Sequence, residues 1–342
     1  MNKLGRGAVI AGAALAAGVA YAHLETKWFT VHRVSVPVLP AGSAPIKILQ
    51  LADIHLLPTQ RTKLRWLASL AALRPDLIVN TGDNLASPGA VPALLSAIEP
   101  LLRLPGVFVG GSNDYYAPRP RNAAKYLFGP SKTKTAELTE LPWRKLFQGF
   151  EGAGWLNLNN ARATVKLPGG REIAFVGTDD YHISRAAYPP PPDIEPEALT
   201  NTSAAPAVGD ADEPCAPATP SGPATTSAAA ACSPALGQQG LTIGVTHAPY
   251  SGVLQQYRDD GVGLVIAGHT HGGQLRIPGF GALVTNSDLA RHQASGLSHW
   301  KDIWLHVSAG AGTSPWAPFR FACRPSATLL TLVPAPALNR TK

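Results

Sequence analysis

The chain contains few sulfur-bearing residues and few charges. Its 342 residues include three cysteines and one methionine, and Asp, Glu, Lys and Arg together make up 15%. Three cysteines without a Cys-x-x-Cys pair exclude a disulfide scaffold and a structural zinc ribbon. The apolar share of 45% with this low charge excludes a wholly disordered chain, a coiled coil and a polytopic transporter. A mostly soluble globular protein is expected, and any metal in it must use ligands other than thiolates.

Negative charge is scarcer than positive charge. There are 29 Lys and Arg against 22 Asp and Glu, a net charge of +7. This mild excess favours anionic surfaces or anionic substrates, and it serves equally well as a solubility charge. Nucleic acid is not expected as the main partner, because the basic residues are scattered and do not alternate with aromatic ones.

The first residues form an apolar segment. Lys3 and Arg6 precede a strongly apolar run at 8–22, which as a helix spans about 22 Å against a hydrocarbon layer of roughly 30 Å. The Ala-Tyr-Ala that ends this run fits signal cleavage. Residues 1–27 are therefore predicted to be an uncleaved membrane anchor or a cleaved signal peptide that leads to secretion, with a buried helix as the remaining alternative. Either of the first two places the domain outside the cytoplasm.

From residue 46 onward, short apolar runs alternate with amphipathic stretches. The pattern predicts strands at 46–52, 77–80 and 107–109, with helices at 64–73 and 91–102 between them. This alternation is typical of an α/β layered core, in which polar residues at strand ends collect at one edge. Later runs predict strands at 163–167, 172–176, 241–246, 264–267, 303–307 and 328–333.

A stretch of biased composition interrupts the predicted domain at 28–338. Residues 189–238 include 11 Pro, 13 Ala and six acidic residues, but no Lys or Arg. Such a segment cannot bury enough apolar area to offset its ordering entropy, so a disordered surface insertion is predicted. Cys215 and Cys232 lie inside it and would form a disulfide only in an exported protein, whereas Cys323 is expected to be a small buried residue.

Polar clusters follow five of the predicted strands. They are Asp53-Ile54-His55, Gly82-Asp83-Asn84, Gly111-Ser112-Asn113-Asp114, Thr246-His247-Ala248 and Gly268-His269-Thr270-His271-Gly272-Gly273. Residues i and i+2 of a strand point the same way, so Asp53 with His55, and His269 with His271, can each direct two ligands into one pocket. Carboxylate, amide and imidazole ligands without thiolate suit Mn²⁺, Fe or Zn²⁺ and argue against a Ca²⁺ loop.

The number of ligands indicates two divalent ions. The seven candidates are Asp53, His55, Asp83, Asn113, His247, His269 and His271. They exceed the needs of one tetrahedral zinc site, whereas two ions about 3.5–4 Å apart need a bridging carboxylate, for which Asp83 is the natural choice.

Taken in this order, the motifs resemble those of the calcineurin-like metallophosphoesterases, from about residue 46 to 333 apart from the insertion. The Gly-His-Thr-His-Gly-Gly-Gln at 268–274 and the Gly-rich stretch at 307–313 look closest to a bacterial branch with an N-terminal membrane segment. The resemblance implies an α/β fold, a four-layer α-β-β-α sandwich of two mixed sheets. It assigns one ion to Asp53, His55, Asp83 and His271, and the other to Asp83, His247, His269 and the amide of the third motif.

The third motif departs from the family pattern. The usual Gly-Asn-His-Asp supplies an amide ligand and then a histidine that assists the leaving group, but this chain has Gly111-Ser112-Asn113-Asp114. Either Asn113 enters the metal site, which we favour, or Ser112 does and Asn113 faces the substrate. In both arrangements the usual histidine is absent, and Asn113, Asp114, Asp180 and His182 are the candidates for its catalytic role.

The expected reaction is hydrolysis of a phosphate ester by metal-activated water, with diesters slightly favoured because the missing histidine assists poor leaving groups. An envelope or lipid-derived phosphate is one expected substrate class, and soluble diesters and nucleotides fit the chemistry equally well. The main alternative is a membrane-tethered protein that binds metal or phosphate with weak or lost catalysis. A single-metal hydrolase of another fold is disfavoured, because neither His-x-His-x-Asp nor His-Glu-x-x-His occurs.

Overall fold

Two six-stranded sheets form the centre of the fold in the computed structural model, which describes residues 3–119, 138–190 and 241–336. The predicted insertion, with Cys215 and Cys232, lies outside the described residues except for Pro189 and Pro190. The helices are α1 (Lys3–Glu25), α2 (Arg61–Ser69), α3 (Ala90–Ala97), α4 (Glu99–Leu102), α5 (Ser112–Tyr115), α6 (Trp143–Gly152) and α7 (Ser251–Asp259). The strands are β1 (Thr30–Leu39), β2 (Ile46–Leu51), β3 (Leu77–Asn80), β4 (Gly106–Phe108), β5 (Leu156–Asn157), β6 (Ala161–Lys166), β7 (Glu172–Gly177), β8 (Thr242–Thr246), β9 (Leu264–Ala267), β10 (Arg276–Ile277), β11 (Gly281–Ala282), β12 (Gly296–Trp300), β13 (Ile303–Val307) and β14 (Ser326–Pro334).

Both sheets are mixed. The first has the order β1-β14-β2-β3-β4-β5 and is antiparallel only between β14 and β2. The second has the order β12-β13-β9-β8-β7-β6 and is antiparallel at its two outer pairs. The strands followed by the polar motifs are β2, β3, β4, β8 and β9, which all belong to the parallel central parts. Their carboxyl ends therefore share one edge, where such sheets place their sites.

Three hydrophobic cores separate four layers. Ile48 of β2 and Ile266 of β9 are buried together between the two sheets. The next residue of β2, Leu49, points to the opposite face, where it packs with Leu94 of α3 and with α2 and α6. On the outer face of the second sheet, Leu254 of α7 packs against β9 and β13. This is the expected four-layer α-β-β-α sandwich, produced by the period of two in each strand.

The predicted strands are confirmed as β2, β3, β4, β6, β7, β8, β9, β13 and β14. The helix predicted at 64–73 is α2 with a short 3₁₀ turn at Leu70–Leu73. The single helix predicted at 91–102 is wrong in one detail, since it breaks at Ile98 into α3 and α4. Pro100 accounts for the break, because proline has no N–H to continue an existing helix and fits the first turn of a new one. Cys323 is buried, as expected.

The N-terminal helix is longer than its apolar run suggested. Helix α1 extends from Lys3 to Glu25, and its 23 residues span about 34 Å. An 18-residue window within Gly5–Glu25 has a mean hydropathy of 1.6, and only 6% of that window is buried against the rest of the protein. By length and composition alone, this helix is able to cross a membrane.

Candidate metal centre

Four ligand-type side chains converge at the ends of three strands. Asp53 and His55 follow β2, Asp83 follows β3, and His271 follows β9. One ligand atom from each of the four lies within 4.8 Å of the others. The Nε2 atoms of His55 and His271 are 3.1 Å apart, and His271 Nε2 is 3.6 Å from an Asp53 carboxylate oxygen. These are the four residues that the resemblance assigns to one ion.

A second group of side chains shares the Asp83 carboxylate. Its Oδ2 atom is 3.5 Å from His55 Nε2, and its Oδ1 atom is 3.5 Å from His247 Nε2. The Nδ1 atom of His269 is 3.3 Å from the same His247 nitrogen. Asp83 thus lies between two groups of imidazole nitrogens, with one oxygen directed to each.

The backbone at the clustered residues is left-handed. The φ angle is 49° at Asp53, 43° at His55, 56° at Asp83, 71° at His269 and 52° at His271. Residues other than glycine seldom adopt such angles, and their clustering is typical of functional sites. Asp53 and His55 therefore reach the cluster through strained loop residues. The extended-strand alternation assumed from the sequence is not the reason that they converge.

Two glycines allow the loops around the cluster to approach closely. Gly82 has a φ of +87°, and a Cβ atom there would collide with the backbone of Gly111 in the loop after β4. Gly310 has a φ of +72°, and its Cβ atom would lie 2.6 Å from the Cβ atom of Asp53. Only glycine combines this backbone conformation with such short approaches.

Backbone carbonyls hold the outer ring nitrogens of three histidines. The pairs are His247 Nδ1 with Thr81 O at 2.7 Å, His269 Nε2 with Asn286 O at 3.1 Å, and His271 Nδ1 with Gly312 O at 3.3 Å. A carbonyl only accepts hydrogen bonds, so each of these nitrogens carries the proton. The other nitrogen of each ring then faces the cluster, which is the arrangement found at metal-ligating histidines.

The electrostatics of the cluster suit cations. Burial lowers the pKa of His55, His269 and His271 well below the usual value, so these imidazoles are neutral. Burial also raises the pKa of Asp53 to about 7. At His247 burial opposes protonation, but the surrounding carboxylates, Asp83 first, raise its pKa to about 9. The three neutral imidazoles beside buried carboxylates are a donor set that fits divalent transition metals, and His247 would join it by releasing a proton when an ion binds.

In the third motif, Asp114 is buried in the protein interior, whereas Ser112 and Asn113 lie at the cavity. Asp114 is fully buried, and its carboxylate accepts hydrogen bonds from the backbone N–H groups of Gly111, Asp83 and Asn84 at 2.8–3.0 Å. Asn113 donates its backbone N–H to Asp83 Oδ1 at 2.6 Å and its side-chain Nδ2 to Tyr116 O at 3.1 Å. Ser112 and Asn113 both line the cavity, whereas Asp114 joins the loops after β3 and β4.

The cavity in front of the cluster has a volume of about 370 Å³. His182 lines it, with its ring centroid 4.8 Å from that of His269. The backbone N–H of His182 donates to Asp180, and its ring Nδ1 is 3.1 Å from the Tyr250 hydroxyl oxygen. Asp180 is fully buried, and burial raises its pKa to about 7.

Two buried cations behind the cluster were not predicted. Lys63 of α2 donates its ammonium to Ile54 O at 2.7 Å, and burial lowers its pKa to about 7. Arg320 is fully buried and donates to five backbone carbonyls, including that of His271 at 3.3 Å and that of Gly312 at 2.7 Å. The burial of Arg320 could have been suspected from the sequence, because it is the only charged residue in 303–323 and lies between two phenylalanines.

Comparison with protein families identifies the chain's relatives. The family model described as calcineurin-like phosphoesterase matches residues 46–273, which is more than half of the chain and includes every residue of the cluster.

Curated relatives match along most of the chain. Phosphodiesterase YaeI of Escherichia coli is 26% identical over 95% of this chain and 97% of its own length. The metallophosphoesterase YkuE of Bacillus subtilis is 24% identical over 95% of this chain and 94% of its own length. A transmembrane protein with metallophosphoesterase domain from Danio rerio is 29% identical over 71% of this chain and 44% of its own length.

Proposed function

Since the chain belongs to the calcineurin-like phosphoesterase family and is a hydrolase of phosphoric ester bonds, we propose that its centre is dinuclear and that it prefers diesters. The observation that carries this proposal is the position of Asp83. Each of its carboxylate oxygens is 3.5 Å from a different histidine, His55 on one side and His247 on the other. A carboxylate shared between two donor groups is what a pair of ions requires.

The ligand sets follow the two groups of side chains. Asp53, His55, Asp83 and His271 would hold one ion, and Asp83, Asn113, His247 and His269 the other. For Asn113, donation of Nδ2 to Tyr116 leaves the amide Oδ1 as the ligand atom. Mn²⁺, Fe²⁺ or Zn²⁺ bound there would bind phosphoryl oxygens and lower the pKa of a water at the site.

The chain's own residues orient the site for this chemistry. Thr81, Asn286 and Gly312 fix the histidine tautomers through their carbonyls. Asp114 is assigned a positioning role in place of the catalytic role expected from the sequence, because its carboxylate is occupied by three backbone N–H groups and the side-chain amide of Asn84. Asn113 lines the cavity, where we propose that its amide faces the second ion.

His182 is our candidate to replace the missing histidine of the third motif. It lies at the cavity wall beside His269 and is held there by Asp180 and Tyr250. From this position its imidazole would donate a proton to the leaving oxygen of the ester, a contribution worth about 10²- to 10⁴-fold for poor leaving groups.

Replacing His182 tests this role. We expect His182→Ala to lower kcat about 10²-fold or more for phenyl phosphate esters and much less for 4-nitrophenyl esters, whose leaving group needs no proton. Metal content should equal that of the wild type, and the exposed residue His292 provides the matched control, His292→Ala. Equal losses on both esters would show that His182 only shapes the cavity.

The diester preference has two supports. The usual histidine is absent from Gly111-Ser112-Asn113-Asp114, and the relative from E. coli is named a phosphodiesterase. We propose that the hydrolase domain is 28–338 and is anchored in a membrane through α1. Lys3 and Arg6 before the apolar run favour a domain outside the cytoplasm, and Lys27 and Arg33 after the run oppose this orientation. An envelope or lipid-derived phosphate ester is the proposed substrate at that location.

The function is tested with the full chain in detergent, stripped of metal and reloaded separately with Mn²⁺, Zn²⁺ or Fe²⁺. We expect close to two ions per chain, with turnover of aryl phosphate esters that depends on the metal and is faster for diesters. Two ions without turnover of any ester would instead place the protein in the alternative class, a tethered binding protein. One ion per chain would contradict the dinuclear centre.

A further inference from the structure

The carboxyl end of α1 is bonded to the segment 318–323. The backbone N–H of Arg320 donates to Ala22 O at 2.9 Å. The Glu25 carboxylate is 1% exposed and accepts the backbone N–H groups of Ala322 and Cys323 at 3.0 and 2.7 Å. The end of the membrane-type helix and this segment are therefore held together as one unit.

The same segment reaches the metal centre. The Arg320 guanidinium donates to the His271 and Gly312 carbonyls, and Phe319 lines the cavity together with His55 and Asp83. Arg320 thus connects the end of α1, through its backbone N–H, with a residue of the cluster, through its guanidinium. A membrane or partner that contacts the end of α1 would therefore also lie beside the mouth of the cavity.

The surface around this segment is apolar. We call it the rim, and its members are Trp28, Leu275, Ile277, Phe280, Trp316, Phe319 and Phe321, all 36–56% exposed. Outside α1 and within the described residues, nine large hydrophobic side chains are exposed, and seven of them belong to the rim. Concentration of exposed apolar side chains on one side marks an interaction surface.

The members of the rim other than Trp316 are structurally connected. The Phe321 carbonyl accepts the backbone N–H of Arg276 at 2.9 Å, which joins segment 318–323 to the β10–β11 hairpin. The Phe321 ring lies 5.3 Å from the ring of Tyr21 on α1, which in turn lies 5.5 Å from the Trp28 ring. Ile277 and Phe280 stand on either side of the hairpin tip.

Basic side chains lie among these apolar groups. Arg324 stacks over Trp28 at 5.5 Å, and Arg291 stacks over Phe280 at 4.7 Å. Arg276 lies between Leu275 and Ile277 in the chain. Aromatic rings interleaved with arginines are the signature of a protein surface at the lipid headgroups, particularly those of anionic lipids.

We infer that the rim rests on the bilayer that holds α1, so that the cavity opens at the headgroup level and takes phosphate esters carried by membrane lipids. The bilayer is the occupant that the fold specifies, because the rim is bonded to the end of the helix proposed to cross it. The substrate class rests on the proposed phosphoesterase function, whereas the docking of the rim depends only on α1 as the anchor.

Lipid contact is measured with a fluorophore on Ile277→Cys and on a control, Leu156→Cys, which is exposed on β5 outside the rim. Both are made in the full chain with Cys215→Ser and Cys232→Ser, and reconstituted in vesicles of equal parts phosphatidylcholine and phosphatidylglycerol with doxyl-labelled lipid. We expect the doxyl lipid to quench the fluorophore strongly at position 277 and not at position 156. No quenching at 277 would overturn the inference, and a label there that is unquenched but immobile would identify a second copy of this chain as the occupant. Reaction of the Leu156→Cys chain with an impermeant maleimide in intact cells also reports which side of the membrane holds the domain.

Substrate class is measured on the double variant Ile277→Ser with Phe280→Ser, with Leu156→Ser as control. We expect hydrolysis of vesicle-borne phosphodiesters to fall at least about tenfold in the double variant, while hydrolysis of soluble bis(4-nitrophenyl) phosphate stays unchanged. Equal rates on vesicle-borne esters for both variants would overturn the lipid substrate. A wild type that cleaves neither ester although position 277 is quenched would refute the proposed action on diesters and leave the docking intact.

Discussion

Asp83→Ala is expected to abolish metal binding and turnover together. The carboxylate directs one oxygen to His55 and the other to His247, so its loss removes a ligand from both proposed ions. We expect the metal content of the reloaded full chain to fall to near zero and kcat/KM on aryl diesters to fall by at least about 10³-fold. Elemental analysis and kinetics on the same samples provide the measurement.

Two further variants separate ligand loss from misfolding. Ser87→Ala lies near Asp83 but outside the motifs, and it should retain both metal and activity. Asp83→Asn keeps the shape of the side chain but removes its charge, so the fold should be kept while metal affinity falls. Activity retained in Asp83→Ala would rule out the two-metal proposal, and loss of one ion alone would show that Asp83 does not bridge.

The positions of the clustered residues were predictable because they depend on strand order. In the sequence, Asp53 and His247 come directly after an apolar run of strand length, and Asp83 and His269 follow such a run after one or two further residues. Parallel strands bring their carboxyl ends to one edge whatever the details of the loops, so proximity follows from the α/β pattern. The resemblance to a known family added the pairing of these residues into two sets.

The local geometry of the site was not predictable from such patterns. Period-two alternation gave the right partner for Asp53, which is His55, for the wrong reason, since both residues have left-handed backbones. It also paired His269 with His271, whereas these two histidines face different groups of the cluster. The loops impose these angles through contacts that are distant in sequence, such as the approach of Gly310 to Asp53. The histidine tautomers are fixed by the backbone carbonyls of Thr81 and Gly312. Every residue has such a carbonyl, so the side chains at these positions do not reveal this role.

Elements with mixed or interrupted patterns were also missed. Strand β1 contains His32, Arg33 and Pro37 and lies at a sheet edge, where proline and charge are tolerated, so its apolar run is short. Helix α6 buries Leu146, Phe147 and Phe150 through tertiary packing although Gly149 weakens its helical propensity. In both cases packing against neighbouring elements decides the structure, which a local window of sequence does not show.

Arg320→Met is expected to destabilise the fold and the metal centre at once. The buried guanidinium donates to the carbonyls of His271, Ala309, Gly310, Gly312 and Cys323. Methionine fills the space but leaves these buried acceptors without a donor, a loss of about 3–5 kcal/mol in the free energy of unfolding. For a domain of this size we expect the Tm of the metal-free chain to fall by roughly 10 °C.

Two control variants distinguish the loss of the Arg320 hydrogen bonds, which we call the clamp, from a general loss of positive charge. Arg103→Met removes an exposed arginine paired with Glu99 and should change the free energy of unfolding by less than about 1 kcal/mol. Arg320→Lys should be intermediate, because one ammonium cannot span the carbonyls that the guanidinium reaches with two nitrogens. Thermal unfolding of the full chain is measured first, and metal is then titrated at a temperature below the Tm.

Arg320→Met should bind metal more weakly even when folded, since His271 loses its backbone anchor. Wild-type affinity and wild-type Tm in this variant would show that the clamp does not hold the centre.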